Sequence, residues 1–162
     1  MKISPCNVLV FFSMLVTLIG CCQGGLYVKT TGLYQVAVLP PLSDPERKDA
    51  GEQALRRDAP GKYYLYLRFY EDCTVVGASS IGEPEQVVRW LHPKNGNVSV
   101  GSYRFKNDSL FLKLTGENGS VLYRGLQQKD GLLLSSESLI NGHKADYFYR
   151  FVAVIPKKEP AE

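Results

Sequence analysis

Tyr63-Tyr64-Leu65-Tyr66-Leu67-Arg68-Phe69-Tyr70 decides the fold. Its side chains alternate with period two. Tyr63, Leu65, Leu67 and Phe69 point one way, and Tyr64, Tyr66, Arg68 and Tyr70 point the other. A helix would spread these two sets around its axis, whereas a strand sorts them onto opposite faces. The first set is apolar and is expected on the core side. The second carries phenolic and cationic ends that suit an aqueous face or a polar lining. Glu71-Asp72 then makes a turn, and Cys73 to Ser79 returns as the partner strand.

Working outward, Gly32 to Leu39 reads as a first strand, ended by Pro40-Pro41. Ser43 to Gly61 is the most polar stretch, with a helix-start pattern at Ser43-Asp44-Pro45-Glu46 and little to bury. Its cations Arg47, Lys48, Arg56 and Arg57 suit a solvated face. After the hairpin, Glu83-Pro84-Glu85 opens a short helix near 84–91, with Pro in the first turn and acids at the positive end of the dipole. Val87, Val88, Trp90 and Leu91 make it a plug or a flank of the sheet.

Short strands follow about every ten residues, near 97–106, 109–115, 120–127, 131–139 and 145–154. The turns Lys106-Asn107-Asp108, Gly116-Glu117-Asn118-Gly119, Lys129-Asp130-Gly131 and Asn141-Gly142-His143 carry the Gly, Asn or Asp of tight hairpins. The expected fold is all-β, an antiparallel up-and-down meander of about eight strands. Such a meander closes into a small barrel and so removes its edges; a two-layer sandwich is the alternative.

The chain begins with Met1-Lys2 and an apolar run from Val8 to Ile19, interrupted by Ser13 and Thr17. At about a dozen residues this fits a signal h-region, since a membrane span needs ~20. Leu18-Ile19-Gly20-Cys21 resembles the bacterial lipobox, which implies cleavage before Cys21 and its lipidation. The expected organisation is a signal peptide over 1–20, a lipid-anchored tether over 21–31, a β-barrel domain over 32–156 and a polar tail over 157–162. Ordinary cleavage near Gly24, which discards Cys21 and Cys22, is the alternative. The sequons at Asn97, Asn107 and Asn118 keep a eukaryotic secreted origin open. Cys73 is expected as a buried small apolar residue rather than a bridge or a nucleophile.

Removing residues 1–20 takes away Lys2 and no acid, leaving 18 basic and 16 acidic residues and a formal charge of +2. That balance, with the basic residues scattered, argues against nucleic acid. Ala78-Ser79-Ser80-Ile81-Gly82 could pass for a nucleophile elbow presenting Ser80, but such an elbow belongs to a larger α/β sheet. His92 and His143 are the only histidines, and no Cys or His shows metal-ligand spacing. The chain is therefore read as no enzyme, with no cofactor and no metal; a secreted hydrolase using Ser80 is the outlying alternative.

The strand count and order are similar to lipocalins. Gly32-Leu33-Tyr34 on the first strand and Arg150 on the last stand roughly where lipocalins carry Gly-x-Trp and a basic residue packed across the closed end. The resemblance implies a barrel-closing role for Tyr34 and Arg150 and a ligand cavity. Residues 64–72 with Glu83-Pro84 also look like a segment of the C-terminal domain of certain F-box only proteins, and are similar to uncharacterised bacterial lipoproteins. Tyr64, Tyr66 and Tyr70, with Tyr147 and Tyr149, are the candidate ligand- or partner-binding surface, because aromatics with polar ends suit amphipathic ligands or a partner protein. Two functions compete: a lipid-anchored structural or interaction module of the cell envelope, and a lipocalin-like binder of a small apolar or amphipathic molecule. The partners expected are a membrane, reached through the lipid anchor, and either an envelope protein or that small molecule.

Overall fold

A computed structural model describes residues 28–38 and 61–154. Eight strands and one helix follow in order: β1 Gly32–Val38, β2 Tyr63–Phe69, β3 Thr74–Ser80, α1 Pro84–Trp90, β4 Ser99–Lys106, β5 Ser109–Gly116, β6 Gly119–Gln128, β7 Gly131–Ser138 and β8 Lys144–Ala153. Every strand pairs antiparallel with its sequence neighbour, and β1 pairs with β8 through Tyr34↔Phe151 and Gln35↔Arg150. The sheet is therefore a closed barrel with no free edge. The sandwich alternative is excluded. The expected leader, most of the expected tether, most of the 43–61 excursion and the polar tail lie outside the described residues.

Closure of only eight strands demands tight curvature. Gly101 and Gly125 supply it on the inward face. A Cβ at Gly101 would fall 1.6 Å from the Lys113 carbonyl oxygen, and one at Gly125 would fall 1.8 Å from that of Leu133. No side chain fits there, so neighbouring strands bend against bare backbone.

The period-two pattern sorts as expected. Tyr34, Leu67, Phe69, Val75, Tyr103, Phe105, Leu110, Leu112, Leu132, Leu134 and Tyr149 fill the interior. One end holds the start of β1 and the β2–β3, β4–β5 and β6–β7 turns, together with the end of β8. This end, the base, is closed by aromatic packing. Tyr34 sits edge-on to Phe69 at 5.4 Å and to Phe151 at 5.2 Å, and Lys29 Nζ lies 4.5 Å from the Phe151 centroid. The Lys29 N–H donates to Tyr34 Oη at 2.9 Å.

The helix flanks the barrel rather than plugging it. Val87 and Leu91 bury against Leu33, Tyr66 and Val76 on the outer face of β1–β3, forming a second core. Complete burial of each such side chain contributes about 2 kcal/mol. Pro84 starts the helix, and the Gln86 side chain accepts the Glu83 N–H at 3.4 Å.

One expectation is corrected. Cys73 is disulfide-bonded, not simply a buried apolar residue. It ends the β2–β3 turn at φ 67, half-buried beside the interior cluster. The base is also where β1 begins, with Val28 buried in the same cluster.

Candidate functional site

The two faces of β2 diverge in role. On the outer face, Tyr66 Oη donates to the Gly82 carbonyl at 2.7 Å, and Tyr70 Oη donates to the Leu91 carbonyl at 2.9 Å. The Arg68 guanidinium donates to Val88 O at 2.8 Å and to Leu91 O at 3.3 Å. The last carbonyls of a helix have no partners within it and carry its negative end, so these donors hold α1 in place. Tyr64 lies on the same face, half-buried, its ring 6.0 Å from that of Tyr66. The Tyr64, Tyr66 and Tyr70 stripe is thus neither an aqueous face nor a polar lining. It is covered because α1, whose docking place was not legible in the pattern, packs over it.

Tyr147 and Tyr149 face the interior instead, since they pair across β7 with inward Leu134 and Leu132. The structure splits the candidate tyrosines into an outer and an inner set. The inner set has further members: Tyr123 on β6 and Tyr63 on β2 interact electrostatically with Tyr147, and Tyr123 with Tyr149. Alternation already placed Tyr63 inward; Tyr123 could have been found by the same count along β6.

Inward residues near the other end of the barrel are less buried than those at the base. Val36, Tyr63, Leu65, Val121, Tyr123, Ala145 and Tyr147 are half-buried, and Ser79 is exposed. The interior therefore opens toward the upper end, away from the chain's entry. No strand residue facing inward among those described is charged.

Below this opening sits Tyr149, fully buried. Its hydroxyl has no hydrogen-bond partner among the described residues. Burial holds its proton well above the ordinary tyrosine range, with the Tyr123 phenol adding to the rise. Tyr123 is raised too, first by burial. The two hydroxyls are close enough to interact, but they do not meet in hydrogen-bonding geometry. Even a bond between them would use one O–H and leave the other free. A buried hydroxyl left without a partner costs about 1–3 kcal/mol, so a neutral acceptor at this place would be welcome.

A second concavity lies outside. An open groove of about 800 Å³ crosses β4 to β8 between two rows of outward side chains. One row includes Lys113, Leu122 and Glu137, and the other Arg104, Phe111 and Arg124. The Arg104 and Arg124 guanidinium carbons lie 5.9 Å and 5.3 Å from the Phe111 centroid. Lys144 pairs with Glu137 at 3.3 Å. Beyond the second row, exposed Leu126, Leu133 and Phe148 stand directly opposite one another.

Comparison with known proteins returns no match to a family model, to a curated protein or to a solved structure.

The remaining sequence candidates have local roles. Tyr34 closes the base, but Arg150 is exposed on the outer face beside Gln35. The cation at the base is Lys29, and the ring packed on Tyr34 from β8 is Phe151. Ser80 Oγ accepts the Gly82 N–H at 3.0 Å, and His92 Nδ1 accepts that of Lys94 at 3.2 Å. Both serve turns. Asp72 accepts the Thr74 N–H at 3.0 Å, and this hydrogen bonding lowers its pKa. Cys21 lies outside the described residues, so the lipidation expected there stands on the sequence. Asn97, Asn107 and Asn118 are all exposed.

Proposed function

We propose that this protein is an exported, lipid-anchored binder of a small, neutral amphipathic molecule held inside its barrel. The observation that carries this reading is the buried, unpartnered Tyr149 hydroxyl below an interior that opens at the upper end. Uncharged walls disfavour an ionised head group, because a charge taken out of water without a partner costs several kcal/mol. Phenols that retain their protons can donate to a carbonyl or hydroxyl oxygen of the ligand. Apolar Val36, Leu65 and Val121 suit its hydrocarbon part.

The test is titration of the mature protein with the neutral fluorophore N-phenylnaphthylamine. The expected result is saturable binding, displaced more effectively by a long-chain alcohol than by the ionised acid of equal length. Tyr149→Phe is expected to weaken the alcohol's binding about 3- to 10-fold, the worth of one hydrogen bond. Absence of saturable binding would sink the reading.

A second reading, an interaction module of the envelope, is favoured by the outer groove. Phe111 between two arginines, next to the exposed Leu126–Leu133–Phe148 row, suits an acidic partner segment with apolar side chains. A partner captured by the wild type and lost from Phe111→Ser with the fold intact would favour it.

A further inference from the structure

The outer groove differs in charge from one end to the other. It crosses β4 to β8, four strand spacings or about 19 Å. Its β4–β6 end is lined by Arg104, Lys113 and Arg124 and by no acid. None of these three side chains forms a hydrogen bond or an ion pair among the described residues. The β7–β8 end holds Glu137 and Asp146 with two serines, and its lining cation, Lys144, is paired with Glu137.

The free cations are also held in place. Phe111 stands directly between Arg104 on β4 and Arg124 on β6. Their guanidinium carbons lie 5.9 Å and 5.3 Å from the ring centroid, so the ring attracts one from each side. The two arginines thus repeat along one wall at two strand spacings, about 10 Å. Lys113 rises from the same strand as Phe111, on the opposite wall.

We propose that this groove binds an acidic oligosaccharide, with two of its acid groups on Arg104 and Arg124 and its neutral hydroxyls on Asp146, Glu137 and the serines. A guanidinium presents paired N–H donors that match the two oxygens of a carboxylate or sulfate. In a polysaccharide charged once per disaccharide, successive acid groups stand about as far apart as the two arginines. An ionised carboxylate only accepts hydrogen bonds, so Asp146 and Glu137 suit sugar hydroxyls and repel a third acid group.

This occupant differs from the acidic partner segment of the second reading, and it does not depend on a ligand inside the barrel. An extended peptide repeats its same-face side chains every ~7 Å, out of step with the arginines. Peptides that add to a sheet do so at a free edge, and this barrel has none, so the amides of such a segment would meet side chains only. An evenly acidic segment would also run into Glu137 and Asp146. A bilayer surface, being flat, would leave the floor of the groove unfilled.

The mature protein is titrated by calorimetry with hyaluronan tetrasaccharide, which carries two carboxylates one disaccharide apart. One-to-one saturable binding is expected, weakening as salt is raised, with no comparable binding of neutral N-acetylchitotetraose. Arg104→Gln and Arg124→Gln, each with an unchanged circular dichroism spectrum, are expected to weaken binding about 3- to 10-fold apiece. Phe111→Leu keeps every charge and is expected to weaken it about 3-fold, because the guanidiniums are then no longer held. Absence of saturable binding overturns the proposal, as does unchanged affinity in both arginine variants. Equal or tighter binding of a tetraglutamate peptide overturns it in favour of the partner segment, and equally effective competition by phosphatidylglycerol vesicles overturns it in favour of a membrane surface. The tetrasaccharide is expected to leave N-phenylnaphthylamine binding unchanged; competition between the two overturns the groove as the site.

Discussion

Tyr66 and Tyr149 are both fully buried strand tyrosines, yet their hydroxyls meet opposite fates. Tyr66, on the outer face, meets the Gly82 carbonyl at 2.7 Å, while Tyr149, on the inner face, meets no partner among the described residues. The outer phenol lies under an added element whose loop and helix end present carbonyls in need of donors. The inner one lies among apolar side chains and other phenols, which offer it little. The first is a bolt for the scaffold, and the second is a donor held in reserve.

The largest effect on this contrast should come from alkali. Burial is the leading cause of raised pKa values at Tyr34, Tyr70, Tyr123, Tyr147 and Tyr149. Each phenol therefore binds its proton more tightly folded than unfolded. Their contribution to stability is complete below the ordinary value of 10.0 and is lost as pH rises beyond it toward the folded values. Circular dichroism along an alkaline titration should show loss of the barrel above that pH, with Tyr149→Phe shifting the transition upward.

Next in size is Arg68→Leu. It removes charge-assisted bonds to Val88 and Leu91 and leaves the helix end short of donors, at a cost of about 2–3 kcal/mol in urea unfolding. Amide exchange should accelerate in α1 first, and an unchanged midpoint would deny the bolt its role. Tyr66→Phe should cost about 1 kcal/mol, since Gly82 O then loses its donor in a buried place. Tyr149→Phe should be neutral or stabilising by up to ~1 kcal/mol in the ligand-free protein, because it deletes a polar atom without a partner. A loss instead would show that the hydroxyl is already satisfied, and the contrast with Tyr66 would collapse.

Much of the architecture could be read from alternation alone. Leu110, Leu112 and Leu114 on one face, and turns at Asn107-Asp108 and Asn141-Gly142, mark hairpins because positive φ and period-two burial are local properties. The same count along β8 would have separated Tyr149, which faces inward, from the outer Tyr64, Tyr66 and Tyr70 with which it was grouped. Whether an inward phenol has a partner lies beyond that count, since it depends on side chains from β6 and β2. Arg150 illustrates the opposite error: its position on the last strand matched an expected role, but the register with Gln35 turns it outward. Cys73 was misjudged because a disulfide depends on where a distant segment passes, and spacing carries no such information.

By itself the sequence determined eight amphipathic strands joined by tight turns, the short helix between the third and fourth, and an uncharged inward set, because strand period, turn chemistry and patterning act between near neighbours. Only the tertiary structure decided which face of β2 the helix would cover, that the base would be sealed by Tyr34, Phe69, Phe151 and Lys29, and that Tyr149 would be left with a free hydroxyl. These outcomes depend on closing β1 onto β8, a pairing between strands more than a hundred residues apart, which no local pattern encodes.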